Sequence, residues 1–232
     1  MIWDVLPFIA LITVEGNEQR VAEFFQDAAR VGLTPNLVRV YQFRKNNFGT
    51  DNVDHEITLS HQTVMWDALK MDAPCALIFE DDSRFYPNIT NLADSVEWLT
   101  AHRKAWDLFF LGAFHTAPSV PIGSGVAWTM MPILSHAYVI SAPMMRRCVR
   151  ELAVGKFTPV TDHIDMWFAR TGLRKYAAFP QLCYQCETPR AFPAPDIVPF
   201  KHVQQGSDYV WLAWVVGLIV ICIVLQRVVV FF

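Results

Sequence analysis

The chain has 232 residues, a formal net charge of −3, 53% hydrophobic residues and 13% aromatic residues. A negative balance without clustered Lys and Arg argues against a general nucleic-acid binder. High aromatic content with few charges excludes disorder and predicts a sizeable core.

Residues 1–20 are apolar but carry Asp4 and no basic leader, so they do not read as a signal peptide. Phe8–Val14 is an unbroken apolar run, as in a strand covered on both faces. Asn17 is a candidate cap for a helix through Gly32, with Val21, Phe24, Phe25, Ala28 and Val31 at helical spacing. A strand is expected at Leu37–Tyr41, a polar loop at Asn46–Glu56, and a helix at Thr58–Met71 with Leu59, Val64, Ala68 and Leu69 facing the core. Ala76–Phe79 reads as a third buried strand that runs directly into Glu80-Asp81-Asp82. A helix at Asn91–Arg103, a strand at Trp106–Leu111 closed by Gly112, and a mobile Pro/Gly/Ser-rich loop at Thr116–Gly125 follow. Beyond them come a strand at Ala137–Ile140, a helix around Pro143–Leu152 and a helix at Asp162–Arg170. Strands alternating with helices predict an α/β layered fold whose mostly parallel sheet is flanked by helices. No internal repeat is visible.

Thr188–Ser207 carries four prolines and reads as a linker. Tyr209–Leu225 then runs 17 residues without a charge, close to the ~20 apolar residues a membrane-spanning helix needs. Arg227 stands near one end, where its stem can snorkel, and Tyr209, Trp211 and Trp214 form an aromatic belt at the other. A buried core helix, or one docked in a larger assembly, is the alternative. The expected organisation is a domain over 1–188, a linker over 189–208 and a single transmembrane anchor over 209–232. With no N-terminal signal, that is a tail anchor holding the domain on the cytosolic side of a membrane. Of five cysteines, Cys183 and Cys186 form a lone CxxC, which lacks the second pair of a zinc site and reads as two ordinary thiols. A sparse, odd cysteine set suits a reducing compartment.

The sharpest chemical feature is the acidic run. A buried strand delivers three carboxylates to its C-terminal end, the edge at which open α/β sheets bind ligands. Adjacent carboxylates repel, and a divalent cation would relieve that repulsion. Mg²⁺ and Mn²⁺ favour carboxylate oxygen and bridge protein carboxylates to substrate phosphates. Glu80 and Asp82 have the [DE]xD spacing that nucleotide-sugar transferases use, where the metal neutralises a leaving diphosphate. His61 is a candidate hydrogen-bond donor to a ligand or a satisfied helix histidine. Arg20 is a candidate phosphate contact or an ordinary surface residue. His163 is a minor candidate for a metal shell, and Asn88-Ile89-Thr90 is a glycosylation sequon.

Ala76–Asp82 resembles the ALILEDD segment of glycosyltransferase family 25, the lipooligosaccharide and collagen galactosyltransferases, a family with members in large DNA viruses. Other pieces follow in that family's order. Ser60-His61 with Trp66 resembles its SH helix, Trp106–Gly112 its WDxxxLG strand, Ala137–Ser141 its AYxIS strand, and Asp162 with Asp165 its late acidic segment. Ile12 through Arg20 loosely resembles its opening strand. The resemblance covers about residues 8–186. It implies a GT-A-like fold, a UDP-galactose or UDP-glucose donor, and Mn²⁺ (or Mg²⁺) held by Glu80 and Asp82. Arg20, Ser60, His61 and Asp81 would then lie against donor or metal. Inverting transfer needs a general base for the acceptor hydroxyl, and Asp162 and Asp165, one helix face apart by three residues, are the candidates. Their other reading is an acidic cluster at a helix start. The acceptor would be a glycan, a lipid-linked sugar or a protein near the bilayer. Two further expectations stand beside this one. The first is a catalytically degenerate glycosyltransferase-fold scaffold, such as a membrane-tethered minor capsid component of a virion touching other capsid or membrane proteins. The second is a metal-dependent nucleotide-sugar hydrolase or binder.

Overall fold

The computed structural model describes residues 2–115, 119–152, 163–171 and 174–186. The first strand, β1 (Ile9–Val14), is followed by α1 (Glu18–Ala29), β2 (Arg39–Phe43), α2 (Val53–Lys70), β3 (Cys75–Glu80) and the short β4 (Ser83–Phe85). Then come α3 (Leu92–Ala101), β5 (Leu108–His115), β6 (Ser119–Gly123), β7 (Val126–Thr129), β8 (Pro132–Ser141) and α4 (Ala142–Leu152). A helix α5 (Ile164–Arg170) and strands β9 (Lys175–Ala178) and β10 (Cys183–Gln185) complete the described part.

Eight strands form one sheet in the order β2-β1-β3-β8-β5-β9-β7-β6, and β10 pairs with β4 beside it. The expected α/β layering is present, and six of the eight strands run the same way. The sheet is nonetheless mixed, because β8 and β7 run against the rest and make four of its seven pairings antiparallel. The long strand β8 enters between β3 and β5 and so supplies two of these four antiparallel ladders.

Strand alternation sorts the core into two faces. Ala76 and Ile78 of β3 pack with α2, α4 and α5, through residues such as Met65, Met145 and Phe168. Leu77 and Phe79 pack on the other face with α1 and α3, through Phe24, Ala28 and Leu99. Each buried Leu, Ile, Phe or Met among them contributes roughly 1.5–3 kcal/mol, and both faces of β3 are closed.

Several elements differ from expectation for visible reasons. The Asn46–Glu56 segment is not all loop, since α2 begins at Val53. Asn52 caps it by accepting from the His55 N–H at 3.1 Å, and the Glu56 carboxylate accepts from the Phe48 and Thr50 N–H groups. Gly112 does not end its strand. The β5–β8 register shifts on either side of it, and β10 crosses so closely that a Cβ there would lie 2.2 Å from the Cys183 carbonyl oxygen. Within the predicted loop Thr116–Gly125, residues 119–123 form β6, hairpinned to β7. Strands β4, β7, β9 and β10 are further additions to the expected set. Among the described residues no helix is long and apolar enough to cross a membrane. The predicted linker and anchor, 189–232, lie outside those residues.

Candidate active site at the end of the third strand

Glu80 closes β3, and Asp81 and Asp82 follow it into the turn before β4. Because β3 alternates, Glu80 inherits the face of Ala76 and Ile78, and Asp81 inherits the face of Leu77 and Phe79. That parity gives neighbouring carboxyls opposite surroundings.

Asp81 turns toward β1 and α1 and is 5% exposed. Its Oδ2 accepts from Thr13 Oγ1 at 2.6 Å and from Asn17 Nδ2 at 2.9 Å, and its Oδ1 accepts from an Arg20 guanidinium nitrogen at 3.2 Å. Asn17 therefore precedes α1 as expected but makes no side-chain cap, because its amide is turned to Asp81. Arg84 donates to the Asp81 carbonyl at 2.9 Å and to Glu23 at 2.7 Å, which ties the turn to α1 again.

Glu80 faces α2, β8 and α5. His61 of α2 is 1% exposed. Its Nε2 lies 3.1 Å from Glu80 Oε1 and its Nδ1 lies 2.7 Å from the Tyr138 hydroxyl. Burial, with the charges of Asp165 and Asp81 nearby, pushes the Glu80 carboxyl up to about 8. Burial also holds the His61 imidazole down to about 4. The Asp82 carboxylate receives one hydrogen bond, from Gln185 Nε2 to Oδ2 at 3.0 Å, and its Oδ1 is buried without a hydrogen-bond partner among the described residues. Burial first, and then the charge of Glu80, push its carboxyl up to about 7. Asp165 stands at the start of α5, where Oδ2 accepts from the Leu134 N–H at 3.2 Å. His163 caps α5 by accepting from the Asp165 N–H, a different use from the metal ligation considered for it.

Of the residues singled out in the sequence, Arg20, His61, Glu80, Asp81, Asp82 and Asp165 converge on this edge. Ser60 does not, because its hydroxyl donates back to the Glu56 carbonyl of its own helix at 2.8 Å. Asp162 lies outside the described residues. Cys183 is buried in β10 and, like Cys75 and Cys148, is a free thiol. Thr13, Asn17, Tyr138 and Gln185 take part without having been singled out. Thr13 was the most findable, since it shares strand parity with Leu11 on the face that Asp81 meets.

Two under-satisfied carboxyls in mutual repulsion can take up protons or a cation. Among the described residues no three acidic, histidine or cysteine side chains converge to cage a metal on their own. Two carboxylates with an unsatisfied buried oxygen still fit a hard divalent ion, which commonly takes one or two protein carboxylates and completes its shell with water and phosphate oxygens.

No family model and no curated protein matches the chain. Among solved structures it is similar in outline to A197 from STIV, with 10% identity and a TM-score of 0.49 over 79% of this chain and 87% of that one. It is also similar to a glycosyltransferase involved in the glycosylation of the major capsid of PBCV-1, at 13% identity and a TM-score of 0.43 over 80% of this chain and 96% of that one. A third similar structure is the mannosyltransferase PcManGT from Pyrobaculum calidifontis, in complex with GDP-Man and Mn²⁺. It shows 14% identity and a TM-score of 0.43 over 88% of this chain and 69% of that one. Likeness at this level says nothing of activity, which has to be read from this chain's own residues.

Proposed function

We propose that the chain is a metal-dependent, inverting glycosyltransferase of GT-A-like, family 25 type that moves a hexose from UDP-galactose or UDP-glucose to a glycan, lipid-linked or protein acceptor. One observation carries the reading: Glu80 and Asp82 meet at the C-terminal end of β3 with carboxyls raised toward neutrality and one buried oxygen unsatisfied. A protein gains no stability from holding such a pair bare, and a bound divalent cation makes it favourable. The order of the short family-like motifs along the chain supports the same reading.

Glu80 and Asp82 would hold Mn²⁺ or Mg²⁺, which when bound supplies positive charge to a leaving diphosphate. The remaining roles belong to the chain's own groups. Asp162 and Asp165 are the candidates to accept the acceptor hydroxyl's proton, and the Leu134 N–H holds Asp165. Asp81 and Arg20, bound to each other, hold the end of β1 and the start of α1 against the turn that carries Asp82. A span over 209–232 would keep the domain at a cytosolic membrane surface, close to a lipid-linked or membrane-protein acceptor.

Release of UDP from UDP-galactose and UDP-glucose by the full chain with Mn²⁺, beside Asp82→Asn, tests the reading. Turnover that is lost in the variant is expected. The catalytically degenerate scaffold is favoured by Arg20 and Asp81 being occupied with each other. Absence of both binding and turnover across UDP-sugars would overturn the transferase and leave that scaffold.

A further inference from the structure

We propose that Tyr138 and His61 form a buried hydrogen-bond chain that fixes the Glu80 carboxylate as a divalent-cation ligand, making both of them positioning residues. The inference rests on the cation reading above and extends it to the two residues behind Glu80.

The geometry is continuous. The Tyr138 hydroxyl, His61 Nδ1, His61 Nε2 and Glu80 Oε1 follow one another at 2.7 and 3.1 Å across the ring. Tyr138 is 0% and His61 1% exposed, so the contact between them is closed to water. Their rings are stacked at 5.7 Å, and Phe168 and Phe110 pack on Tyr138, which holds the chain laterally. The proton assignment follows from Glu80. With a cation bound, Glu80 is ionised and can only accept, so Nε2 would then carry the hydrogen, Nδ1 accept, and the Tyr138 hydroxyl donate to it. One oxygen of Glu80 is thereby engaged. Its other oxygen carries no such bond from His61 and is left for the ion. Carboxylates and imidazoles at metal centres are characteristically oriented by such outer partners. Three elements contribute one residue each: His61 from α2, Glu80 from β3 and Tyr138 from β8. A histidine that only filled the core would need no carboxylate on its second nitrogen.

The test is Mn²⁺ binding to the full chain, read from the electron paramagnetic resonance of the free ion, with thermal stability measured on the same samples. Tyr138→Phe keeps the ring and removes only the hydroxyl. His61→Leu removes the donor to Glu80, and His61→Gln retains one. Tyr138→Phe and His61→Leu are expected to weaken Mn²⁺ about 10-fold or more, the usual effect of removing an outer-shell partner, while His61→Gln stays within a few-fold of the parent chain. Asp82→Asn serves as the control for the ion itself and is expected to abolish binding. If the parent chain binds Mn²⁺, Asp82→Asn does not, and Tyr138→Phe and His61→Leu bind like the parent whatever their stability, the positioning role is overturned and the cation site stands. If the parent chain fails to bind, or Asp82→Asn binds equally, the cation site falls and the positioning role falls with it.

Discussion

The two sides of the end of β3 carry the same chemistry in opposite circumstances. On the α1 side, Asp81 accepts from a hydroxyl, an amide and a guanidinium, and its charge is fully employed. Glu80, facing α2 and α5, has one imidazole contact, and Asp82, beside β10, has one amide; burial raises both carboxyls, helped at Glu80 by Asp165 and Asp81 and at Asp82 by Glu80. Adjacent residues in one acidic run thus divide their work: Asp81 joins two secondary structures, and its neighbours keep capacity for something brought from outside. The difference teaches that the run is not a single three-carboxylate ligand set.

Substitutions should separate the sides by sign as well as size. Asp81→Ala removes the shared acceptor of Thr13, Asn17 and Arg20 and is expected to lower the unfolding free energy by about 3 kcal/mol, measured in urea. A loss below about 0.5 kcal/mol, ordinary for a surface change, would erase the contrast. Gly112→Ala pushes on β10, whose Gln185 holds Asp82, and is expected to cost about 2 kcal/mol. It should also weaken Mn²⁺ binding, which Asp81→Ala reaches only through global stability. Asp82→Asn runs the other way. Relieving a buried, repelled charge is expected to stabilise the metal-free protein at pH 8 by about 1 kcal/mol. A clear destabilisation there would show that Asp82, like Asp81, is structural.

The smallest effect is in pH. Glu80 and Asp82 are raised from 4.5 and 3.8 to about 8 and 7, so the folded protein binds their protons more tightly than the unfolded chain does. Their contribution is greatest at low pH and is lost as pH rises toward 8. His61, His115 and His136 are lowered by burial from 6.5 to about 4, and they act oppositely, removing stability as pH falls through that interval. Above 6.5 the histidines are silent and the carboxyls remain. Metal-free melting temperature is therefore expected to fall between pH 6.5 and 8, and saturating Mn²⁺ to flatten the fall, in a calorimetric pH series. A rise over that window in the metal-free protein contradicts the raised carboxyls.

Much of the frame was legible from local pattern. The apolar runs before Val14 and Glu80, and the helical spacing of Phe24 and Ala28, identify elements because burial on two faces or one stripe dictates composition. What local pattern misses are elements whose stability comes from partners. Residues 183–185 form β10 only because Ser83–Phe85 lies alongside, and Ser119–Gly123 becomes a strand through its ladder to β7. Gly112 looked like a terminator, since sequence shows its missing side chain but not the carbonyl that crosses there. In the site, the acidic run and His61 were visible as residue types, while Tyr138 and Gln185 were indistinguishable from any core tyrosine or strand glutamine.

By itself the sequence determined that a buried strand ends in three carboxylates. It also determined an uncharged apolar run at 209–225, whose composition is that of a span. Only the tertiary structure decided which helix each carboxyl meets. It brings β1, 68 residues away in the chain, to satisfy Asp81, and β8 and α2, 77 residues apart, to reach Glu80 through Tyr138 and His61. The physical reason is one of range: alternation along a strand is local geometry, whereas hydrogen-bond partners are chosen by how distant strands order themselves in the sheet.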